Sequence, residues 1–490
     1  MKQNYAKRGM SYLKRNGIKS SIYKALERTA RDKDEASYNY IAQNLSPDDE
    51  TIQMQRERRF ERPYKFSILV PMYETDSAML RKMLSSVGNQ TYTNWELILV
   101  DASKTDVRRN IVRDFCEEFY LSCSDSFGKI HDKVKYIFLN DNKGISGNTN
   151  EALANATGDY VVLLDHDDSL CITALFDVMW KISEQELVNE DGVIKLKRIM
   201  AVYSDEDKVN EDDTQYFDCH KKPDYDPILL CSNNYICHLF VVDTNLAKSV
   251  GGFRSEYDGA QDHDFILRCL EGLKRDQIIH IPKVLYHWRT SEASTATNPS
   301  AKLYAYKAGK KAVSDHLMRM GIKAKVKDTP HLGFFRVEYE NLHKSVVSVS
   351  KQKYIEMTDH QMKSLMQDFV LIVSDDLKPL NPLHIEKMMS CMHHNHVGAV
   401  TGKIIGRDGR IESAGYDVTD GVAVPRFRKL NRHFSGYLHR ASLQQLVGGF
   451  SSDLVLLRKE AVKTFKPDIE LKDGYDIYFE PEALFKRKKI

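Results

Sequence analysis

The chain has 490 residues, of which 42% are hydrophobic, so it is too long for one ordinary domain and two or three are expected. Its 71 lysines and arginines nearly balance its 69 aspartates and glutamates, which argues against a dedicated nucleic-acid-binding protein. No segment has the roughly 20 apolar residues of a membrane-spanning helix, and the basic, polar N-terminus has no signal-peptide core. The eight cysteines show neither a CxxC pair nor zinc-like spacing. We therefore expect a cytoplasmic protein with reduced thiols.

Basic residues are concentrated at the two ends of the sequence. Residues 1–26 hold seven lysines and arginines, no acidic residue and several apolar side chains, and residues 486–490 are Lys-Arg-Lys-Lys-Ile. Such ends suit peripheral contact with an anionic membrane surface, here the inner face of the cell membrane, at up to about 1 kcal/mol per basic residue. Solvated, partly disordered ends fit the same pattern equally well.

Strands and helices are predicted to alternate from residue 66 onward, after a mostly helical, polar segment over residues 1–60. The predicted strands are short apolar runs, many of them β-branched: 66–70, 96–100, 134–139 and 160–164. Helical patterns cover residues 77–87 and 144–156. This alternation predicts an α/β domain with a parallel-type sheet wound with helices.

Polar residues follow the ends of these strands, where ligands bind in such sheets. The residues expected to line this crevice are Pro71, Tyr73, Glu74, Asp101 and the acidic turn 165–168. Lys143, Gly144 and Ser146 open a predicted helix, whose free backbone N–H groups favour a phosphate. An ordinary helix entry is the alternative for that segment.

The acidic turn is the strongest chemical signal in the sequence. Asp165, Asp167 and Asp168 come directly after the apolar run Tyr160–Leu164. Carboxylates this close raise one another's pKa unless a cation lies among them. A hard divalent metal, with phosphate oxygens as further ligands, is the natural occupant, and a solvated acidic turn is the alternative.

Three later segments carry further candidates. Asp205 and Asp207 follow a predicted strand at 200–203 and suit either acceptor hydroxyls or an acidic surface loop. Asp262 and Asp264 precede an amphipathic helix, where one of them could be a general base and the other a helix cap. The strand at 284–289 contains His287, a metal or diphosphate ligand or an ordinary strand-end histidine, and Arg289, suited to phosphate.

Together these segments resemble the family 2 glycosyltransferases of the GT-A fold, over roughly residues 60–335. The resemblance is carried by Ser67–Tyr73, Gln90–Leu97, Asn142–Ser146, Asp165–Asp168 and Gln261–Asp262, in family order. It implies a GT-A catalytic domain at 61–335 that transfers a hexosyl or deoxyhexosyl group from a nucleoside-diphosphate sugar, with Mn²⁺ or Mg²⁺ as cofactor and inversion at the anomeric carbon. The bacterial surface-polysaccharide enzymes are the most similar, which implies a growing, lipid-linked acceptor glycan of an O-antigen, capsule or cell wall.

The resemblance also implies roles for single residues. Asp262 is the expected base, although Gln261 stands where the family has glutamate. The expected donor-binding residues are Pro71, Tyr73, Glu74, Asp101, Lys143, Gly144, Ser146, Asp165 and Arg289. The expected metal ligands are Asp165, Asp167, Asp168 and His287, and the expected acceptor-binding residues are Asp205, Asp207 and Asp264. A non-catalytic nucleotide-sugar or glycan-binding subunit of an assembly complex is the alternative function.

The pattern of apolar strands followed by acidic residues begins again in residues 336–490 but is incomplete. Phe369–Asp376 repeats the strand-then-acid arrangement and 397–400 is a further predicted strand, yet no nucleotide-binding half precedes them. This predicts a truncated, non-catalytic GT-A-like module, in which Asp375 and Asp376 are relics rather than ligands. Such a module could hold the acceptor, pair with another subunit or cover the catalytic domain.

Overall fold

The computed structural model describes residues 2–44, 46–122, 133–190, 193–290, 303–340, 342 and 344–488. The chain divides into two compact units. The first unit comprises residues 1–8, 30–225 and 234–316, and the second unit comprises residues 9–29, 226–233 and 317–490. The segment 1–60 that the sequence sets apart is therefore shared between the units. Cys123 and the last two residues of the basic C-terminus lie outside the described residues.

The helices and strands of the N-terminal part alternate as the sequence predicts. The helices up to residue 290 are α1 (Lys2–Asn44), α2 (Asp49–Glu57), α3 (Ser77–Gly88), α4 (Val107–Ser122), α5 (Gly144–Ala154), α6 (Ala174–Gln185), α7 (Pro227–Ser232), α8 (Thr244–Ser249) and α9 (Gln261–Leu270). The strands are β1 (Phe66–Met72), β2 (Trp95–Asp101), β3 (Val134–Phe138), β4 (Tyr160–Leu163), β5 (Ser169–Leu170), β6 (Leu187–Glu190), β7 (Val193–Leu196), β8 (Ala201–Val209), β9 (Tyr216–His220), β10 (Phe240–Asp243) and β11 (Ile278–Arg289).

The central sheet of the first unit has the order β3-β2-β1-β4-β10-β8-β11-β5, and β9 also pairs with β8. Strands β1 to β4 are mutually parallel, as their uninterrupted apolar runs and intervening helices predict. β10 runs antiparallel between β4 and β8, and β8 pairs in parallel with β11. Helices α3 and α6 bury one face against this sheet, so the carboxyl ends of β1, β2 and β4 are fixed at one edge.

One predicted boundary is wrong. The strand predicted at 200–203 continues to Val209, so Asp205 and Asp207 lie inside β8 and are buried. Each is paired with a residue of β11, opposite Val284 and His287 respectively. An acidic surface loop is therefore excluded for this segment, because ladder pairing and burial replace the expected exposure.

The second unit contains its own sheet. The helices after residue 302 are α10 (Leu303–Arg319), α11 (Lys351–Glu356), α12 (Asp359–Lys363) and α13 (His384–Ser390). The strands are β12 (Ala324–Asp328), β13 (Phe335–Tyr339), β14 (Val346–Ser350), β15 (Phe369–Val373), β16 (Leu377–Pro379), β17 (Val397–Ile405), β18 (Ile411–Ser413), β19 (Tyr416–Thr419), β20 (Val422–Pro425), β21 (Gln445–Val447), β22 (Leu454–Arg458), β23 (Val462–Thr464), β24 (Glu470–Leu471) and β25 (Asp476–Arg487). The main sheet has the order β14-β15-β22-β17-β25-β16.

Helix α1 is interrupted at Gly17, whose φ of 77° is a left-handed conformation that glycine adopts without strain. The described helices include none that is both long and apolar enough to cross a membrane. Within α1, Ile18 and Ile22 are exposed beside the basic residues that the sequence singled out.

Candidate active site

The acidic turn lies at the carboxyl end of β4 and is fixed by β11. The backbone N–H of Asp168 donates to the carbonyl of Asp165 at 3.2 Å, which closes the turn. The hydroxyl of Tyr286 donates to Oδ2 of Asp168 at 2.5 Å and accepts from the Asp165 N–H at 3.3 Å. Asp168 Oδ1 accepts from the backbone N–H of Arg289 at 2.7 Å. The turn is therefore held in one shape by protein groups alone.

The electrostatics of this turn favour a bound cation. Burial raises the pKa of Asp168 well above its ordinary value, and the neighbouring carboxylates of Asp167 and Asp165 raise it further. Burial likewise raises the pKa of Asp165, where His238 opposes the shift and Asp167 adds to it. A cation among these groups would offset the repulsion that raises both pKa values.

The donor atoms of Asp165, Asp168 and His238 lie within 4.8 Å of one another. Two carboxylates and an imidazole are a donor set that suits Mn²⁺, with open positions left for phosphate oxygens. In the described part of the chain, the Nδ1 atom of the adjacent His166 is buried without a hydrogen-bond partner. The residues present therefore fit a divalent metal.

Of the other predicted metal ligands, His287 lies elsewhere, whereas Asp167 stays in the acidic turn, where its carboxylate raises the pKa values of Asp165 and Asp168. His287 Nδ1 is 2.6 Å from Oδ1 of Asp207, whose other oxygen accepts from the Tyr38 hydroxyl at 2.6 Å. The backbone carbonyl of Asp167 accepts a hydrogen bond from Nε of Arg289 at 2.8 Å. The structure thus brings Asp165 and Asp168 together with an imidazole, but that imidazole belongs to His238 and not to His287.

Arg289 is not placed to meet a phosphate. Its side chain is 1% exposed, and its guanidinium donates to the carbonyls of Asn210 and Glu211 and to the Asp213 carboxylate. With every edge of the guanidinium engaged, the residue anchors the acidic turn to the loop after β8. The prediction of a donor phosphate at Arg289 finds no support in this geometry.

Asp262 and Asp264 lie in the first turn of α9, whereas the sequence predicts them just before the helix, and their environments differ. Asp262 is partly exposed and accepts from Nδ2 of Asn234 at 2.7 Å, with Sγ of Cys237 at 3.6 Å. It is also close enough to Asp165 to raise the pKa of that carboxyl. An accessible carboxylate beside the acidic turn has the position that a general base requires.

Asp264 is fully buried and engaged. Both Nε and Nη2 of Arg268 donate to its Oδ2, at 3.0 and 2.8 Å, and Arg254 Nε donates to the same oxygen at 3.0 Å. Burial alone would raise the pKa of Asp264, but the hydrogen bonds from these two guanidinium groups outweigh it and hold the pKa below its ordinary value. This geometry leaves no room for an acceptor hydroxyl and makes Asp264 the anchor of α9.

Asp205 is also engaged by protein groups. Its Oδ1 accepts from the backbone N–H of Lys222 at 2.9 Å and from Nε2 of His280 at 2.8 Å. Asp207 is held by Tyr38 and His287, as described above. Neither carboxylate is free for an acceptor glycan as placed, so both serve to fix β8 against its neighbours.

The residues predicted to meet the nucleotide line the edge formed by β1 and β2. Asp101 is buried at the end of β2, where Oδ1 accepts from the Ser103 N–H at 2.9 Å and Oδ2 from the Tyr136 hydroxyl at 2.5 Å. Pro71 lies within β1, Tyr73 follows that strand and is 44% exposed, and the next residue, Glu74, receives the Lys104 N–H at 3.0 Å. Both oxygens of Asp101 therefore already have protein partners.

The predicted phosphate site at the start of α5 is filled by a side chain. The hydroxyl of Ser146 donates to Oδ1 of Asp258 at 2.5 Å, and a Cβ at Gly144 would lie 3.0 Å from Oδ2 of that carboxylate. Lys143 turns to Glu151, with 2.5 Å between Nζ and Oε1. Because the Asp258 carboxylate already satisfies the positive end of the helix, this segment is a helix entry rather than an anion site.

Sequence reasoning missed His238 and Asn234, which connect the acidic turn to Asp262. Both belong to the stretch 232–238, whose polar side chains just before the apolar run 239–242 were the available signal. Their roles follow from contacts with residues far away in sequence, which no local pattern contains.

Comparisons with known proteins agree with this architecture. Residues 67–191 match the family described as glycosyl transferase family 2. Uncharacterized protein y4gI of Sinorhizobium fredii is 30% identical over 467 residues, covering 82% of this chain and 49% of that protein. O-antigen biosynthesis protein RfbC of Myxococcus xanthus is 32% identical over 285 residues, covering 57% of this chain and 20% of that protein. The chain thus spans about half the length of the first relative and a fifth of the second.

A solved structure, TarS 1-349 of S. aureus in complex with UDP-GlcNAc, matches 52% of this chain and 66% of its own at 19% identity and a TM-score of 0.39. The family match covers β1 to β4 and the acidic turn, which are the elements that form the crevice described above. The chain therefore carries, over residues 67–191, a region similar to glycosyl transferase family 2.

Proposed function

We propose that the chain transfers a sugar from a nucleoside-diphosphate sugar to a hydroxyl of a growing bacterial surface glycan, with a divalent metal and with inversion at the anomeric carbon. The observation that carries the proposal is the convergence of the acidic turn and Asp262. The stretch 234–238 contacts Asp262 through Asn234 and Cys237 and supplies His238 to the acidic turn. The proposed site of the leaving diphosphate and the proposed base thus both contact the stretch 234–238.

The surface-glycan part of the proposal rests on the relatives. RfbC of Myxococcus xanthus is named for O-antigen biosynthesis. WfgD of Escherichia coli, named as a glucosyltransferase acting on a diphosphoundecaprenol-linked sugar, is 34% identical over 105 residues, or 21% of this chain and 36% of that protein. The first name supports O-antigen as the class of glycan, and the second supports a lipid-linked sugar as the class of acceptor. Contact of the basic N-terminal residues with the membrane surface would place the chain beside such an acceptor.

In the proposed reaction, the carboxylate of Asp262 takes the proton of the acceptor hydroxyl while the hydroxyl oxygen bonds to the anomeric carbon. The bond from the anomeric carbon to the diphosphate oxygen breaks, and the nucleoside diphosphate leaves with that electron pair. Bound metal would neutralise the charge on the departing diphosphate. Asp165 and Asp168 would hold the metal, and Asp101 would contact the base of the nucleotide. Asn234 orients Asp262 by donating to its Oδ2.

A donor screen tests the proposal. The full chain is incubated with single nucleoside-diphosphate sugars, Mn²⁺ or Mg²⁺ and a lipid-linked oligosaccharide, and release of the nucleoside diphosphate is measured. We expect one donor to turn over only when the acceptor is present. Binding of a donor without turnover under any acceptor would instead support a non-catalytic binding subunit.

A further inference from the structure

A buried lysine holds the stretch 234–238, which contacts Asp262. Lys222 follows β9 closely in the sequence, and its side chain is 0% exposed. Its ammonium donates to the backbone carbonyl of Ile236 at 2.6 Å and to the backbone carbonyl of His238. Burial of an ammonium is costly unless its three N–H groups are satisfied. The two carbonyls are therefore fixed at the positions that the lysine requires.

Glu206 of β8 pairs with this lysine and holds the same stretch. Its Oε2 lies 3.4 Å from Nζ of Lys222 and accepts from the backbone N–H of His238 at 3.2 Å. Its Oε1 lies 3.1 Å from Nδ1 of His220, which is opposite Glu206 in the ladder of β8 and β9. The Lys222–Glu206 pair therefore joins the backbone of the stretch to two strands of the sheet.

The backbone between the two carbonyls is in an unusual conformation. Cys237 has a φ of 39°, in the left-handed region that is strained for a residue with a side chain. Such a conformation persists only where the surrounding structure enforces it. Here the carbonyls on both sides of Cys237 share the ammonium of Lys222. Without that ammonium, the stretch would be free to relax to an ordinary backbone conformation.

The backbone N–H of Cys237 in turn orients Asn234. It donates to Oδ1 of Asn234 at 3.3 Å, so the amide nitrogen of Asn234 is directed to Oδ2 of Asp262, at 2.7 Å. Sγ of Cys237 lies 3.6 Å from the same oxygen. Among the described residues, none donates a hydrogen bond to Oδ1 of Asp262. Oδ1 is therefore the oxygen that remains for the proton of an acceptor hydroxyl.

We propose that Lys222 and Glu206 are positioning residues for Asp262. Through the backbone of residues 236–238 they hold Asn234 against Oδ2 of Asp262, which leaves Oδ1 for the acceptor. The inference rests on the proposed function, in which Asp262 is the base. A buried ion pair adds little net stability compared with well-packed apolar residues, so what this pair provides is a fixed geometry.

Hydrogen exchange of the full chain, measured by mass spectrometry on peptides that contain residues 234–238, tests the holding role without any substrate. Lys222→Met keeps a straight apolar side chain but removes the ammonium, and we expect these peptides to exchange about tenfold faster or more, with β1 and β2 unchanged. Lys222→Met/Glu206→Gln removes both buried charges and should show the same increase if the single variant does not fold. Lys208→Met is the matched control, because Lys208 of β8 pairs instead with Asp218, at 2.8 Å.

Transfer kinetics with the donor found in the screen test the positioning role. Lys222→Met should lower kcat about 10-fold to 100-fold and leave KM for the acceptor within about twofold, because the base is displaced while no binding contact is lost. In the background of Asn234→Ala, Lys222→Met should lower kcat little further, since both residues act on the same oxygen of Asp262. Lys208→Met should keep the kcat of the wild type.

Three results would overturn the proposal: unchanged exchange over residues 234–238 in the folded variants, a kcat of Lys222→Met equal to that of the wild type, or fully additive losses of kcat in Lys222→Met/Asn234→Ala. Unchanged exchange in a chain that transfers sugar would refute the role of Lys222 alone. If the wild type transfers no sugar from any donor although exchange responds as expected, the proposed function fails, and the hold of Lys222 on the stretch stands.

Discussion

Replacing Asp264 by asparagine distinguishes the two roles considered for this residue. The sequence predicts an acceptor-binding carboxylate, whereas the structure places it in a buried cluster with Arg254 and Arg268. The substitution keeps the shape of the side chain but removes the charge that both guanidinium groups face. We therefore expect Asp264→Asn to destabilise the first unit rather than to weaken binding of the acceptor.

The size of the expected loss of stability follows from the burial of the Asp264 ion pairs. Removing one partner of a buried ion pair typically costs about 3–5 kcal/mol, because the remaining charge is left uncompensated. The side chain of Arg268 is 7% exposed, but that of Arg254 is 31% exposed and can be partly rehydrated. We expect the lower end of the range, about 3 kcal/mol, which corresponds to a fall of roughly 6–12 °C in unfolding temperature for a unit of this size.

The assay combines thermal unfolding with transfer kinetics at a temperature where the variant is folded. Asp262→Asn, two residues away and partly exposed, is the matched control and should leave the unfolding temperature nearly unchanged. If Asp264→Asn unfolds at the wild-type temperature and raises KM for the acceptor, the anchoring role is refuted and the acceptor role is restored.

Two further predictions concern buried charges. Glu96, which is 1% exposed, binds Lys65 and Lys135 at 2.8 and 2.9 Å, and Glu96→Gln should lower the free energy of unfolding by about 3 kcal/mol in urea titrations. Burial would raise the pKa of Glu96, but hydrogen bonds from Lys65 and Ser67 outweigh it and hold the pKa well below its ordinary value, so this stabilisation should be present at neutral pH and lost as the pH falls below about 4. Parallel losses of stability in the wild type and in Glu96→Gln across the carboxylate titration range, roughly pH 6 to pH 3, would contradict this. Arg289→Lys should lower the free energy of unfolding by about 2–4 kcal/mol and weaken Mn²⁺ binding, because a lysine cannot reproduce the guanidinium contacts that hold the acidic turn. A Mn²⁺ affinity equal to that of the wild type would show that the turn keeps its shape without these contacts.

The order of elements in the first unit could be predicted because its signals are local. The apolar runs that form β1, β2 and β4 are bounded by turn residues, and the carboxyl ends of parallel strands meet at one edge wherever such runs alternate with helices. The acidic turn and the first turn of α9 could be predicted for the same reason. In each, carboxylates lie directly beside an apolar strand or an amphipathic helix, so the signal spans only a few residues.

The parts that could not be predicted depend on partners distant in sequence. Asp205 can lie in a buried strand because His280 compensates its charge, and no residue near Asp205 in the sequence predicts that partner. Asp258 accepts a hydrogen bond from Ser146 at the start of α5, although more than a hundred residues separate the two in sequence. In the second unit, the recurrence of the strand and acid pattern is visible at Asp376, but the cation that neutralises it is Arg487, at the far end of the chain.

The central claim is that Asp262 is the base of a sugar transfer at the acidic turn. Donor affinity and turnover of Asp262→Asn, measured on the same preparation with the donor found in the screen, test it most directly. Removing a general base should reduce kcat by about 100-fold to 10,000-fold while the Kd of the donor stays within about twofold. Turnover close to that of the wild type would contradict the claim, and so would loss of donor binding, which would move Asp262 from the base to the donor site.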